Sequence, residues 1–122
     1  EATAFGSRAI VERFRDEGLT IDQVIAQGGI PGKNDFVMQV TADVLGMPIK
    51  VVRSGQAVAL GAAMFGAVAS GLFPDISAAQ EHMHSGYSKE FHPRPEMVEH
   101  YNHLYQEYHR VGEQLAETLR AL

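Results

Sequence analysis

The chain has 122 residues, of which 45% are hydrophobic and 20% charged; its formal net charge is -5 and it has no cysteine. That length allows one compact unit with a modest core, and the acidic balance argues against nonspecific binding to nucleic acid or anionic lipid. Without cysteine there are no disulfides, no thiolate catalysis and no cysteine-ligated zinc, a usage that suits a cytoplasmic protein.

Residues 2–15 place Phe5, Ala9, Ile10 and Phe14 about one helical turn apart, with Arg8, Glu12 and Arg13 between them, so an amphipathic helix is predicted. Gly18 stands where a left-handed residue would end it. The chain begins without Met and inside this helical pattern, so it is expected to be a segment of a longer polypeptide. Residues 23–27 then read as a short buried strand around Val24, Ile25 and Ala26. Gly28 and Gly29 break that strand, and Asn34 or Asp35 is placed to cap a helix carrying Phe36, Val37, Val40 and Val44 up to Gly46.

Residues 48–52 form a second apolar, β-branched run, which makes strand, helix and strand a parallel βαβ unit. A small-residue helix is predicted over residues 56–70, where Ala59, Gly61, Ala62, Ala63, Gly66 and Ala67 permit close approach to a neighbouring sheet or helix. Residues 54–74 carry no charge, yet they are rich in Gly, Ala and Ser, so a buried helix is expected there and no membrane span. A short helix over residues 76–82 and an irregular stretch through Pro95 follow. In the last helix Met97, Tyr101, Leu104, Tyr108, Val111, Leu115 and Leu122 step by fours and threes, interrupted at Thr118. Two strands are expected in all, few for a self-sufficient α/β domain.

The chemistry-bearing stretch is Gln27, Gly28, Gly29, Ile30, Pro31, Gly32, Lys33, Asn34. A glycine turn between a strand and a helix start lets backbone approach a nucleotide, and the helix end offers free N–H groups to anionic oxygens. Lys33 adds positive charge. The spacing is neither a Walker motif nor a dinucleotide fingerprint, and a glycine pair after a strand also serves as a plain tight βα connection.

The order of residues around that turn resembles the FGGY family of carbohydrate kinases. VIAQGGIPGKNDFVMQVTADVLG, from Val24 to Gly46, is similar to the family's adenosine motif, with its glycine pair, an Asn, then MQ and ADV. Pro48, Ile49 and the run Ala59, Leu60, Gly61, Ala62, Ala63 resemble the strand and helix that follow it. The opening EATAFGSR and the tail from Tyr101 to Tyr108 resemble the branch of the family that phosphorylates ribulose.

The resemblance implies an α/β fold that is part of an actin/hexokinase-like (ribonuclease H-like) domain, a parallel βαβ unit with several packing helices. Residues 1–122 would then be the carboxy-terminal part of the second, ATP-side domain. It implies ATP and magnesium as cofactors, with the metal ligands and the sugar site outside this segment. A homo-oligomer is expected on separate grounds: two strands leave an unpaired sheet edge, and the Ala59 to Ala67 surface and part of the Met97 to Leu115 stripe lack partners. By position Gly28 and Gly29 would lie against the adenosine and α-phosphate, and Lys33 and Asn34 would border the adenine. Glycerol kinases carry Asn where Lys33 stands, which moves the implied adenine contact toward Asn34 or backbone.

No residue here matches the aspartate base or the phosphate loops such a kinase requires. Asp43, in the ADV segment, is expected on a helix surface and not in catalysis. His100 with His103 and His82 with His84 are each spaced as paired metal ligands, but neither pair has a third ligand, so solvent-exposed histidines are expected. Tyr101, Tyr105 and Tyr108 suit a stacking platform or, at helical spacing, core packing. The alternatives are thus a kinase segment, for ribulose or for a xylulose or polyol substrate, and a non-catalytic interaction module with a kinase-like fold.

Overall fold

The computed structural model describes residues 1–120, the side chain of residue 117 excepted. In chain order the elements are α1 (Ala2–Asp16), β1 (Val24–Ala26), α2 (Gly29–Lys33), α3 (Asp35–Leu45), β2 (Ile49–Val52), α4 (Ala57–Ala69), α5 (Ile76–Met83), β3 (Tyr87–Phe91) and α6 (Pro95–Arg120). Local chemistry accounts for many of the boundaries. Gly18, at φ 84°, closes α1 as its N–H donates to Arg15 O and the next N–H, of Leu19, donates to Phe14 O. The Asn34 side chain caps α3 and that of Asp75 caps α5, each accepting a backbone N–H three residues on.

The sheet has the order β1-β2-β3. β1 and β2 are parallel, with Val24 opposite Ile49, as the βαβ pattern predicts. β3 is a correction to the two expected strands: it pairs antiparallel to β2, with Ile49 opposite Phe91 and an irregularity between Val51 and Val52. Its sequence, Tyr87, Ser88, Lys89, Glu90, Phe91, is exposed along nearly its whole length. Such an edge strand pairs mainly through backbone and carries charge outward, leaving no apolar alternation to read.

α3 is the centre of the packing. One face, with Met38 and Ala42, lies with Ile49 against the sheet, joined by Val24, Ala26, Leu45 and Phe91. The other, with Val40 and Val44, meets Ala4 and Phe5 of α1 and Tyr101 and Tyr105 of α6. Covering a Val- or Leu-sized side chain is worth about 1.5–3 kcal/mol, so this two-sided burial is the main apolar source of stability. Arg8 binds the second layer together. It donates to Glu12 Oε1 at 2.8 Å, Val44 O at 3.3 Å and Asn102 Oδ1 at 2.7 Å, and its guanidinium lies 4.3 Å from the centre of the Tyr105 ring. Burial, followed by the Glu12 carboxylate, pushes the Tyr105 phenol up to about 12.

Tyr101 and Tyr105 are therefore core residues, packed at 6.2 and 5.6 Å from the Phe5 ring, while Tyr108 is half-exposed. The apolar stripe of α6 is covered only in its first half; Val111 and Leu115 are exposed, and Leu122 lies outside the described residues. α4 packs chiefly on α5 and buries only Met64. Its small residues do not bring it into the expected tight contact: a Cβ added at Gly61 or Gly66 would meet nothing within 4 Å.

Candidate functional site

The glycine turn sits at the carboxyl end of β1, one of the two parallel strands of the mixed sheet, and ligand crevices of α/β sheets form at such strand ends. Gly28 has φ 103° and ψ -166°, a backbone region essentially closed to residues with a Cβ. Gly29 does not share that requirement, because it opens α2 in a conformation without positive φ. The flexibility expected of both glycines is therefore concentrated at Gly28. A Cβ at either would project into open space, so backbone at this turn is accessible to a bound molecule.

The segment expected to be a turn coils into the short helix α2, whose Pro31 is buried. Lys33 ends α2 and is exposed. Asn34 follows, and its Oδ1 accepts the Val37 N–H at 3.1 Å. That bond commits the oxygen to capping and leaves the amide NH2 as the group Asn34 can offer outward. Gly28, Gly29, Lys33 and Asn34 thus share one largely exposed strand-to-helix connection, residues 27–34.

Asp43 departs from its expected place. It is fully buried and not on a helix surface. Its Oδ2 accepts from Arg94 Nη2 at 2.6 Å and Nε at 3.1 Å, and its Oδ1 accepts from the Arg94 backbone N–H at 2.8 Å and Gln39 Nε2 at 3.0 Å. Burial pushes the carboxyl up, but these bonds and the guanidinium charge outweigh it and hold Asp43 below the usual carboxylate range. A carboxylate so low and so fully bonded is a poor proton acceptor. Arg94 was not singled out from sequence, and no local pattern marks it: it lies 51 residues from its partner in an irregular link.

A cleft of about 630 Å³ opens beside the turn, between the ends of β1 and β2, helices α4 and α5, and the loop before β3. Gln27 lines it, whereas Gly28, Gly29, Lys33 and Asn34 do not. The six histidines are all exposed. Among the described residues no three His, Cys, Asp or Glu side chains gather as a metal site. Among them, too, no helix is long and apolar enough to cross a membrane.

Residues 1–70 match the model of the FGGY family of carbohydrate kinases, C-terminal domain. The chain is 48% identical over 112 residues to a ribulokinase of Bacillus licheniformis, covering 88% of this chain and 20% of that protein. It is 44% identical over 115 residues to a ribulokinase of Shouchella clausii, with 91% and 20% covered. The chain spans about a fifth of the length of these curated relatives. In structure it is similar to a xylulose kinase from Rhodospirillum rubrum, with a TM-score of 0.80 at 22% identity over 98% of this chain and 24% of that one. The α/β architecture is accordingly part of the actin/hexokinase-like fold of these kinases. With its adenosine-type motif inside the matched stretch, the chain belongs to the FGGY family of carbohydrate kinases.

Proposed function

We propose that this chain is the nucleotide-side segment of an ATP-dependent sugar kinase whose reaction converts ATP and ribulose to ADP and ribulose 5-phosphate. Residues 1–122 form the carboxy-terminal part of the ATP-side domain. Gly28 and Gly29 bring backbone against the adenosine and α-phosphate, and Lys33 and Asn34 border the adenine. The observation that carries this is the turn itself: Gly28 at φ 103°, on the carboxyl end of β1, one short helix before a capped helix start. Backbone approach is what a nucleotide site needs there, and side chains are kept out of the way. Ribulose is favoured over xylulose by relatives 44–48% identical that are ribulokinases.

The chemistry divides between this segment and the rest of the protein. Asp43 is locked to Arg94 and does not abstract the hydroxyl proton. The base, the phosphate loops, the magnesium ligands and the sugar site belong to the remainder, which operates in the cytoplasm as a homo-oligomer. Magnesium, when bound there with ATP, supplies charge neutralisation for the transferred phosphoryl group. This segment holds the nucleoside end and orients it.

The test uses the full-length protein in a coupled assay of ADP release with L-ribulose, alongside xylulose and glycerol. Ribulose-dependent turnover is expected, with Gly28→Val raising the KM for ATP about tenfold or more and the KM for ribulose less than twofold. An equal rise in both constants in a folded variant overturns the adenosine assignment. The isolated chain is expected to show no turnover, and a rate of about 1 per second or above from it overturns the division of labour. Absence of sugar-dependent turnover in the full-length protein would favour the interaction module.

A further inference from the structure

Asp35, Gln39 and Asp43 recur every four residues, so they line one face of α3. Each is tied to the same passing segment. Lys89 Nζ donates to Asp35 Oδ1 at 2.5 Å, Gln39 Nε2 donates to His92 O at 2.8 Å, and Arg94 holds Asp43 through its guanidinium and backbone N–H. The three ties run in the same order along both elements. They start at the first residue of α3, next to Asn34, and end at Arg94, whose carbonyl accepts the Met97 and Val98 N–H groups at the start of α6.

We propose that residues 89–94 are a positioning strap for the nucleotide turn: the three ties set the rotation and height of α3, and with them the placement of Asn34 and the Gly28 turn. This rests on the adenosine assignment above. Apolar contacts already hold α3 on both sides, and they tolerate sliding and small rotation because they are non-directional. Hydrogen bonds to a buried carboxylate are directional, and an apolar residue of the same volume would serve stability as well or better. The ladder therefore supplies what the apolar core cannot, a fixed azimuth for the helix whose first turn borders the nucleotide. The strap also lies beyond residues 1–70, so it is a part of this protein outside the matched family domain acting on that domain's motif.

The experiment is steady-state kinetics of the full-length protein with ATP and ribulose varied separately, after a melting curve for each variant. Lys89→Met and Asp35→Asn each raise the KM for ATP about threefold, the range of a surface ion pair. The double variant D35N/K89M stays near threefold, because both changes remove one tie. Arg94→Gln, which keeps the backbone bond to Asp43, raises it about tenfold, as loss of a hydrogen bond to a charged group allows. In all of them the KM for ribulose and kcat change less than twofold. A double variant near ninefold, or a ribulose KM rising in step with that for ATP, overturns the strap. If Arg94→Gln does not fold, the surface pair alone decides. Gly28→Val separates the two ideas. Should it raise the ATP KM while the strap variants leave it unchanged, only the strap is overturned; should it leave the ATP KM unchanged, the adenosine assignment fails and the strap falls with it.

Discussion

α3 and α4 are both apolar helices that follow a strand, yet α3 buries Met38, Val40, Ala42, Asp43 and Val44 while α4 buries only Met64. Val58 and Phe65 of α4 are 80% and 67% exposed. The helix with the polar residues, α3, is the better buried, so what decides burial is what passes beside each helix. α3 is enclosed by the sheet, α1, α6 and the strap, whereas α4 meets mainly α5. A helix's apolarity states that a partner is needed, and only the path of distant chain supplies one.

The sharpest way to break this contrast is at the α3–sheet layer. Ile49→Ala, at a fully buried position, is expected to cost about 3–4 kcal/mol in urea unfolding of the chain. A loss below about 1 kcal/mol would mean that the layer is loose.

Asp43→Ala is expected to cost about 2 kcal/mol, since it removes the buried charged acceptor of the Arg94 backbone N–H and of Gln39 Nε2, while the half-exposed Arg94 guanidinium returns to water. The same carboxylate gives an acid signature. Its folded pKa lies below the ordinary 3.8, so its contribution is complete above about 4 and is lost as pH falls through the lower folded value. Asp43→Asn should flatten the fall in stability below pH 4, though not abolish it, because Glu12 is also held low by Arg8 against the opposing effect of burial. An unchanged acid profile would contradict the buried ion pair.

On the uncovered side the expected readout is association. Val58 and Phe65 of α4, and Val111 and Leu115 of α6, expose apolar surface on their respective helices. The isolated chain is expected to dimerise at micromolar concentration in sedimentation, and Phe65→Glu should shift it toward monomer. A monomer before the substitution would show that these faces tolerate water. The smallest effect belongs to Val58→Ala, expected to alter unfolding stability by less than about 0.5 kcal/mol; a core-sized loss there would show that α4 is covered in solution.

Much of this molecule was legible from local sequence. Period located α1, α3, α4 and α5 closely, and the stop at Gly18 and the cap at Asn34 were readable because each acts on its own neighbours. The parallel pairing of β1 and β2 followed from two apolar runs around a helix, and the family from the residues between Val24 and Gly46. The tertiary structure alone decided which residues those elements would meet. β3 has no apolar alternation because β2 holds it through backbone, Gly28 and not Gly29 takes the positive φ, and the α6 stripe is covered only where α1 and α3 reach it. Asp43 is the clearest case. Its surface-like residue type argues for exposure, and an arginine 51 residues away, donating with its side chain and backbone alongside Gln39, compensates the burial of that charge. Hydrophobic period and capping are short-range properties that a sequence carries on its face, while the compensation of a buried charge depends on a partner that only the folded path brings near.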